Sequence, residues 1–219
     1  FYFDMVDDKD LDNVGLSWSG YADYKDMWTV DVFDIFNDSY GVEKNNISKE
    51  YIESSEKLNP SNRDNIIGIQ SQIWSETIRN EDILDYMFMP NIIVFSQKAW
   101  SKDPEWMKIS DKSKRESTLD YEWNKFTNTI GQRVLPIINN IYGGLSYDLP
   151  KPGGIIKNDS LYANSAFPGL NIKYTLDGSL PDIESMNYNS PIKINQDDIV
   201  NLRLFDNRGR GGYPIQVNK

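Results

Sequence analysis

Gly68-Ile69-Gln70-Ser71-Gln72-Ile73-Trp74-Ser75-Glu76 is the stretch on which the fold turns. Across Asn65 to Glu76, Ile67, Ile69 and Ile73 fall on one side of an extended chain. Gly68, Gln70, Gln72, Trp74 and Glu76 fall on the other. Alternation with a period of two marks a strand with one apolar and one polar face. An edge strand of a sandwich produces the same pattern. Here, however, the polar side ends in Trp74 and Glu76 immediately before a helical pattern. In a β/α barrel, side chains at the C-terminal ends of the strands line the active site. Phe1 to Met5 repeats the design, with Phe1, Phe3 and Met5 on one face and Tyr2 and Asp4 on the other.

Working outward, Ile83, Leu84, Met87, Phe88, Ile92, Phe95 and Trp100 recur near helical spacing. Ser75 or Thr77 is the expected cap of this helix, and Pro90 is expected to kink it or split it in two. Ser117 to Ile141 predicts a second long amphipathic helix, with Pro136 in its last turns. Gly15 to Asp38 reads as loop plus short helix, and Lys44 to Arg63 as loop or short helical segment. Then the composition changes. Tyr142-Gly143-Gly144 and Leu149-Pro150-Lys151-Pro152-Gly153-Gly154 form a turn-rich linker. Six short β-type runs follow: 154–156, 161–164, 171–176, 192–194, 199–205 and 214–217. Asp177-Gly178 carries a hairpin-type turn signal. These runs predict a small antiparallel β-sandwich.

Composition narrows the chemistry. The chain has 219 residues, 39% of them hydrophobic and 13% aromatic, enough for a packed core. Its 33 acidic against 23 basic residues give a net charge of -10, which argues against a nucleic-acid or anionic-membrane partner. Neither Cys nor His occurs. Disulfides, thiol nucleophiles, His general bases and His- or thiolate-ligated metals are therefore excluded. Carboxylates, Tyr, Lys and hydroxyls remain. No apolar run approaches the ~20 residues of a membrane helix. A chain that opens inside an apolar, strand-like segment, without an initiator Met or a signal peptide, is expected to be part of something longer.

Tyr2 and Asp4, then Trp18, then Trp74 and Glu76 combine aromatics with carboxylates, the composition of a carbohydrate site. Sugars stack a C–H face on Trp and pair their hydroxyls with Asp or Glu. The segment Gly68 to Pro90, running on to Ala99-Trp100, resembles the last barrel strand and helix of glycoside hydrolase family 20, the β-N-acetylhexosaminidases, and is most similar to the bacterial chitobiases. The pattern is a Trp-Ser-Glu followed by Tyr-Met-x-x-Pro and Ala-Trp. Tyr2-x-Asp4, with Gly15 and Trp18 downstream, resembles the preceding strand and its loop. Gly131-Gln132-Arg133 and Tyr147-Asp148-Leu149-Pro150 resemble the helix and exit linker. Phe167-Pro168-Gly169 and Tyr174 to Gly178 resemble the chitobiase C-terminal domain. Residues 30–63 are the poorest stretch.

The resemblance implies the C-terminal portion of a TIM (β/α)8 barrel over residues 1–145, holding its last two β/α units, and a small immunoglobulin-like β-sandwich over 146–219. It implies hydrolysis of terminal non-reducing N-acetyl-D-hexosamine residues by a retaining, substrate-assisted mechanism, with no cofactor. Tyr2 would orient the substrate's 2-acetamido oxygen. Trp74 would floor the −1 pocket, Trp18 would stack on the +1 sugar, and Glu76 and Asp4 would bind sugar hydroxyls or support the groups that do. The expected partners are an N-acetylglucosamine-containing oligosaccharide and the missing N-terminal part of the same enzyme. The family's habit suggests a periplasmic or extracellular location.

One departure limits this expectation. The family's acid/base pair is an adjacent Asp-Glu on an earlier strand, and no Asp-Glu dipeptide occurs here. Glu81-Asp82 has the reverse order and fits a helix start, where the dipole favours carboxylates. The family's sugar-binding Arg on the first strand has no counterpart either. The isolated chain is therefore expected to be inactive. A non-catalytic carbohydrate-binding or interaction module, or one chain of a split enzyme, are the alternatives. The acidic run Asp7 to Asp12 lacks the Gly and Glu of a calcium loop and reads as solvated. Asp177-x-Ser179, and Arg203, Arg208 and Arg210 among glycines, read as turns.

Overall fold

The computed structural model describes residues 1–6, 14–18, 20–37 and 39–218. The chain divides into two compact units, Phe1–Trp123 and Asn124–Lys219. Among the described residues, no helix is long and apolar enough to cross a membrane.

In the first unit, residues 1–5 run parallel to residues 70–74. The Gln72 N–H donates to Phe1 O (2.9 Å) and the Phe3 N–H to Gln72 O (2.8 Å), which pairs Tyr2 with Gln72. The face expected to be apolar is so. Phe1 and Phe3 pack edge-on against Phe95 at 6.0 and 5.8 Å, and Phe3 also meets Phe88 at 5.9 Å. The extent of pairing is less than expected. Segments 1–5 and 65–76 meet through an isolated bridge rather than a continuous strand. The ladder begins where the Phe1 ammonium donates to Gln70 O. Upstream of Gln70 the described residues offer no ladder partner, and Ile67 stands 99% exposed.

The helical pattern splits at Pro90 as expected, into α4 (Glu81–Phe88) and α5 (Asn91–Trp100). Proline cannot supply the amide that would join them. The cap is Asn80, whose side-chain oxygen accepts from the Ile83 N–H (2.9 Å), and not Ser75 or Thr77. Three shorter helices precede these: α1 (Tyr24–Thr29), α2 (Ser39–Lys44) and α3 (Lys49–Ser54). Asp23 and Asp26 form a reciprocal capping box on α1. Trp28 of α1 is buried against Trp106 and Trp123 at 5.9 and 5.3 Å. The long helix α6 (Lys112–Thr129) starts earlier than Ser117 because Asp111 caps it, accepting from the Lys114 N–H.

The second unit opens on the end of α6. A π-helical segment (Ile130–Val134) leads into α7 (Leu135–Ile138). Pro136 falls in the first turn of α7, where a missing N–H is tolerated. Gly131 lies against the Phe167-Pro168 backbone, and a Cβ there would sit 2.0 Å from Pro168 O. Strands β1 (Gly153–Lys157), β2 (Ser160–Asn164) and β5 (Ile192–Lys193) form one antiparallel sheet. Strands β4 (Met186–Asn187), β3 (Asn171–Thr175), β6 (Val200–Phe205) and β7 (Ile215–Val217) form the other, in that spatial order. Leu161 from the first sheet and Tyr174, Val200, Leu202 and Val217 from the second share one buried cluster.

All six expected β-runs are present, and β4 is the strand that alternation misses. The tight hairpin also lies elsewhere than expected. Asn158 and Asp159, with φ of 50° and 54°, form the two-residue turn between β1 and β2, where Lys157 pairs with Ser160. Asp177-Gly178 instead begins a long connection to β4, with the Asp177 carboxylate accepting from the Ser179 N–H and hydroxyl.

A buried polar network accompanies this core. Asp206 accepts from the Arg208 and Arg210 N–H groups (2.9 Å each) and from Arg210 Nε (2.7 Å). The Arg210 guanidinium stacks 4.3 Å from the Tyr147 ring, and Asn139 Nδ2 donates to the Tyr147 hydroxyl (3.2 Å). Arg203 donates to the Gly211 and Gly212 carbonyls. These arginines bind the unit's own turns, as the turn reading expected.

Two predictions follow from this packing. Gly131→Ala should destabilise the second unit by roughly 1–3 kcal/mol, because the clash is with backbone that cannot swing away. Calorimetry of the chain checks it, with Gly68→Ala, whose added methyl would meet open space, leaving the second unit's transition unmoved. Burial pushes the Tyr147 hydroxyl up to about 12 from a usual 10.0, and the Asp206 charge pushes the same way. The folded state therefore holds this proton after the unfolded chain has lost it. Stability should fall by roughly 1–2 kcal/mol as pH rises from about 10 towards 12. Denaturant midpoints across that window should fall less steeply in Tyr147→Phe.

Candidate functional site

The parallel register decides which side chains meet. Tyr2 pairs with Gln72, so Asp4 comes level with Trp74. A continued ladder would hand the Trp74 N–H to a backbone carbonyl of the neighbouring segment. Instead it donates to Asp4 Oδ1 at 3.1 Å. Asp4 is 3% exposed. A buried carboxylate without a donor is costly, and this amide supplies one. Trp74 itself is 52% exposed, and Glu76 is exposed in the turn closed by the Ile78 N–H and Ser75 O (3.1 Å). The buried member thus holds the backbone from which the exposed members project.

Trp18 arrives by a separate route. The Leu16 N–H donates to Asp4 O (2.7 Å), and the Gly15 N–H donates to Thr77 Oγ1 (3.1 Å). Gly15 has φ of +93°, and a Cβ there would lie 2.5 Å from Asp4 O. Only glycine combines that backbone angle with so close an approach. The Gly20 N–H closes a turn onto Ser17 O (3.0 Å), leaving Trp18 near the tip, 80% exposed. Tyr2 is 47% exposed and borders a hollow of about 390 Å³ shared with Phe1, Met5, Tyr21 and Phe36. Asp4, Trp18, Trp74 and Glu76 do not line that hollow.

The five side chains singled out from the sequence thus fall on three chain segments tied together by hydrogen bonds. Thr77 and Gln72 are the members that the sequence reading did not assign to the site. Period-two alternation carries a signal for Gln72, which shares the polar side of the chain with Trp74. Glu81 and Asp82 occupy the first turn of α4, as expected of helix-start carboxylates. Among the described residues, no cluster of three or more carboxylates gathers as metal ligands would. The acidic run 7–12 lies outside the described residues.

Two family models match the chain. Residues 1–103 match the glycosyl hydrolase family 20 catalytic domain, and residues 139–212 match the chitobiase/beta-hexosaminidase C-terminal domain. An N,N'-diacetylchitobiase of Vibrio harveyi is 33% identical over 120 residues, covering 51% of this chain and 13% of that protein. A beta-hexosaminidase of Vibrio vulnificus is 31% identical over 129 residues, covering 51% of this chain and 15% of that protein. The chain therefore spans a small part of the length of these relatives. The first match contains Tyr2, Asp4, Trp18, Trp74 and Glu76, and the second runs from Asn139 through β6 and ends before β7. Over these two segments, the chain is similar to the catalytic domain of glycosyl hydrolase family 20 and to the chitobiase/beta-hexosaminidase C-terminal domain.

Proposed function

We propose that this chain is the C-terminal part of a β-N-acetylhexosaminidase that removes terminal non-reducing N-acetyl-D-hexosamine residues, and that alone it binds sugar weakly without turning it over. Residues 1–145 would supply the last two β/α units of the catalytic barrel, and 146–219 an immunoglobulin-like sandwich. The reading rests above all on the Asp4–Trp74 hydrogen bond, which joins the two segments that carry the expected sugar-binding groups. Relatives named chitobiase and beta-hexosaminidase support the substrate class.

In this reading the substrate's 2-acetamido oxygen attacks the anomeric carbon, the glycosidic C–O bond breaks, and water later opens the oxazolinium. The half-exposed Tyr2 hydroxyl would donate to the acetamido oxygen and hold it in line. Trp74 would stack under the sugar, Glu76 would accept from its hydroxyls, and Trp18 would meet the next residue. Asp4, being buried against the Trp74 amide, takes the supporting role. The leaving oxygen needs a proton from an acid on the preceding part of the barrel, which is the proposed partner. A periplasmic or extracellular location accords with a polymer-degrading substrate class.

The test is binding and turnover by the 219-residue chain. Trp74→Ala should weaken binding of the β-1,4 dimer of N-acetylglucosamine at least about tenfold, a difference of ~1.4 kcal/mol, in an NMR titration. A chromogenic N-acetylglucosaminide should remain uncleaved. Cleavage by the chain that disappears in Tyr2→Phe would overturn the assignment of the general acid to another segment.

A further inference from the structure

We propose that Thr77 is a positioning residue that sets Trp18 in register with Trp74 and Glu76, so that the site takes a disaccharide of N-acetylhexosamine as one unit. This rests on the functional reading above. Three inter-segment hydrogen bonds close a circuit. Thr77 Oγ1 accepts from the Gly15 N–H at 3.1 Å, Asp4 O accepts from the Leu16 N–H at 2.7 Å, and Asp4 Oδ1 accepts from the Trp74 N–H at 3.1 Å. Thr77 immediately follows Glu76 in the turn that begins at Ser75. Gly15 lies three residues before Trp18, whose turn is closed by the Ser17–Gly20 hydrogen bond. One hydroxyl therefore links the turn holding Trp74 and Glu76 to the loop holding Trp18.

Two features make this link specific. A Gly15 side chain would strike Asp4 O and Val6 Cγ1, at 2.5 and 2.9 Å, so the loop backbone lies close against the segment at the point where Thr77 holds it. The Asp4 contribution to the loop is a backbone carbonyl, whereas Thr77 contributes a side chain that substitution can remove. Without that acceptor, a partly buried amide loses its partner while Leu16 stays tethered. The loop would then pivot about Leu16 and carry Trp18 out of register, while the Asp4–Trp74 hydrogen bond is retained.

The experiment compares Thr77→Val, nearly the same shape without the acceptor, with Thr77→Ser, which restores it. Affinities for N-acetylglucosamine and for its β-1,4 dimer are measured by NMR titration of the full chain. Thr77→Val should weaken the dimer about three- to tenfold and the monosaccharide by less than about twofold, and Thr77→Ser should recover the dimer. Equal losses for both sugars, or none, would overturn the proposal. Hydrogen exchange at the Gly15 and Trp74 amides separates the two readings. If the unmodified chain binds neither sugar, the sugar-site reading fails and the disaccharide role falls with it. The coupling itself still stands if Thr77→Val speeds Gly15 exchange and leaves Trp74 unchanged, and is overturned if Gly15 exchange is unaltered.

Discussion

The hydrogen bond from the Trp74 amide to Asp4 Oδ1 organises the first unit's candidate site. It takes over at the point where the backbone ladder between residues 1–5 and 70–74 stops. A ladder joins two segments indifferently to sequence, because every residue carries the same donor and acceptor. A carboxylate joins them only where an Asp stands. The Asp4 backbone carbonyl meanwhile accepts from the Leu16 N–H, and through it holds the Trp18 loop. One residue thus ties three segments through two different acceptors. Its burial is the condition for this: an exposed carboxylate would divide its hydrogen bonds with water and fix nothing.

Much of this is visible in the sequence. The split at Pro90, the apolar faces of Phe1 and Phe3, and the β-runs after Gly153 all rest on rules that act within a few residues. Alternation, helical spacing and the missing amide of proline are such rules. What the sequence misplaces rests on choices among local competitors. Ser75, Thr77 and Asn80 can all cap a helix, and Asn80 does so because its oxygen reaches the Ile83 amide three residues on. Asp177-Gly178 looks more like a hairpin turn than Asn158-Asp159. Yet Asn and Asp also tolerate positive φ, and strand register places the tight turn at Lys157–Ser160.

The candidate site divides along the same line. Its residue types are legible, since aromatics and carboxylates on polar faces can be read from alternation alone. Its connections are not. Gly15 and Thr77 are 62 positions apart, and no periodicity links them. The distinction between Asp4 and Glu76 is also invisible in the sequence, because both are carboxylates beside an aromatic. Only the parallel register shows that Asp4 turns inward to an amide and Glu76 faces water.

The absence of His and Cys bears on how such a site could work. Without an imidazole, no side chain here has an unperturbed pKa that changes charge between pH 5 and 8. The share of the proposed sugar recognition carried by these residues then relies on fixed charges, hydroxyls and aromatic faces, whose contribution depends on placement more than on protonation. That puts the energetic weight on backbone geometry. A tryptophan displaced by one ångström loses stacking area, and a carboxylate displaced as far loses its hydrogen bond. The short range of these interactions explains why the site's supports grip the backbone: the Asp4 carboxylate on an amide, a glycine pressed against a carbonyl, and a threonine hydroxyl holding the loop. In such a site, a residue that touches no substrate can govern affinity as strongly as one that does.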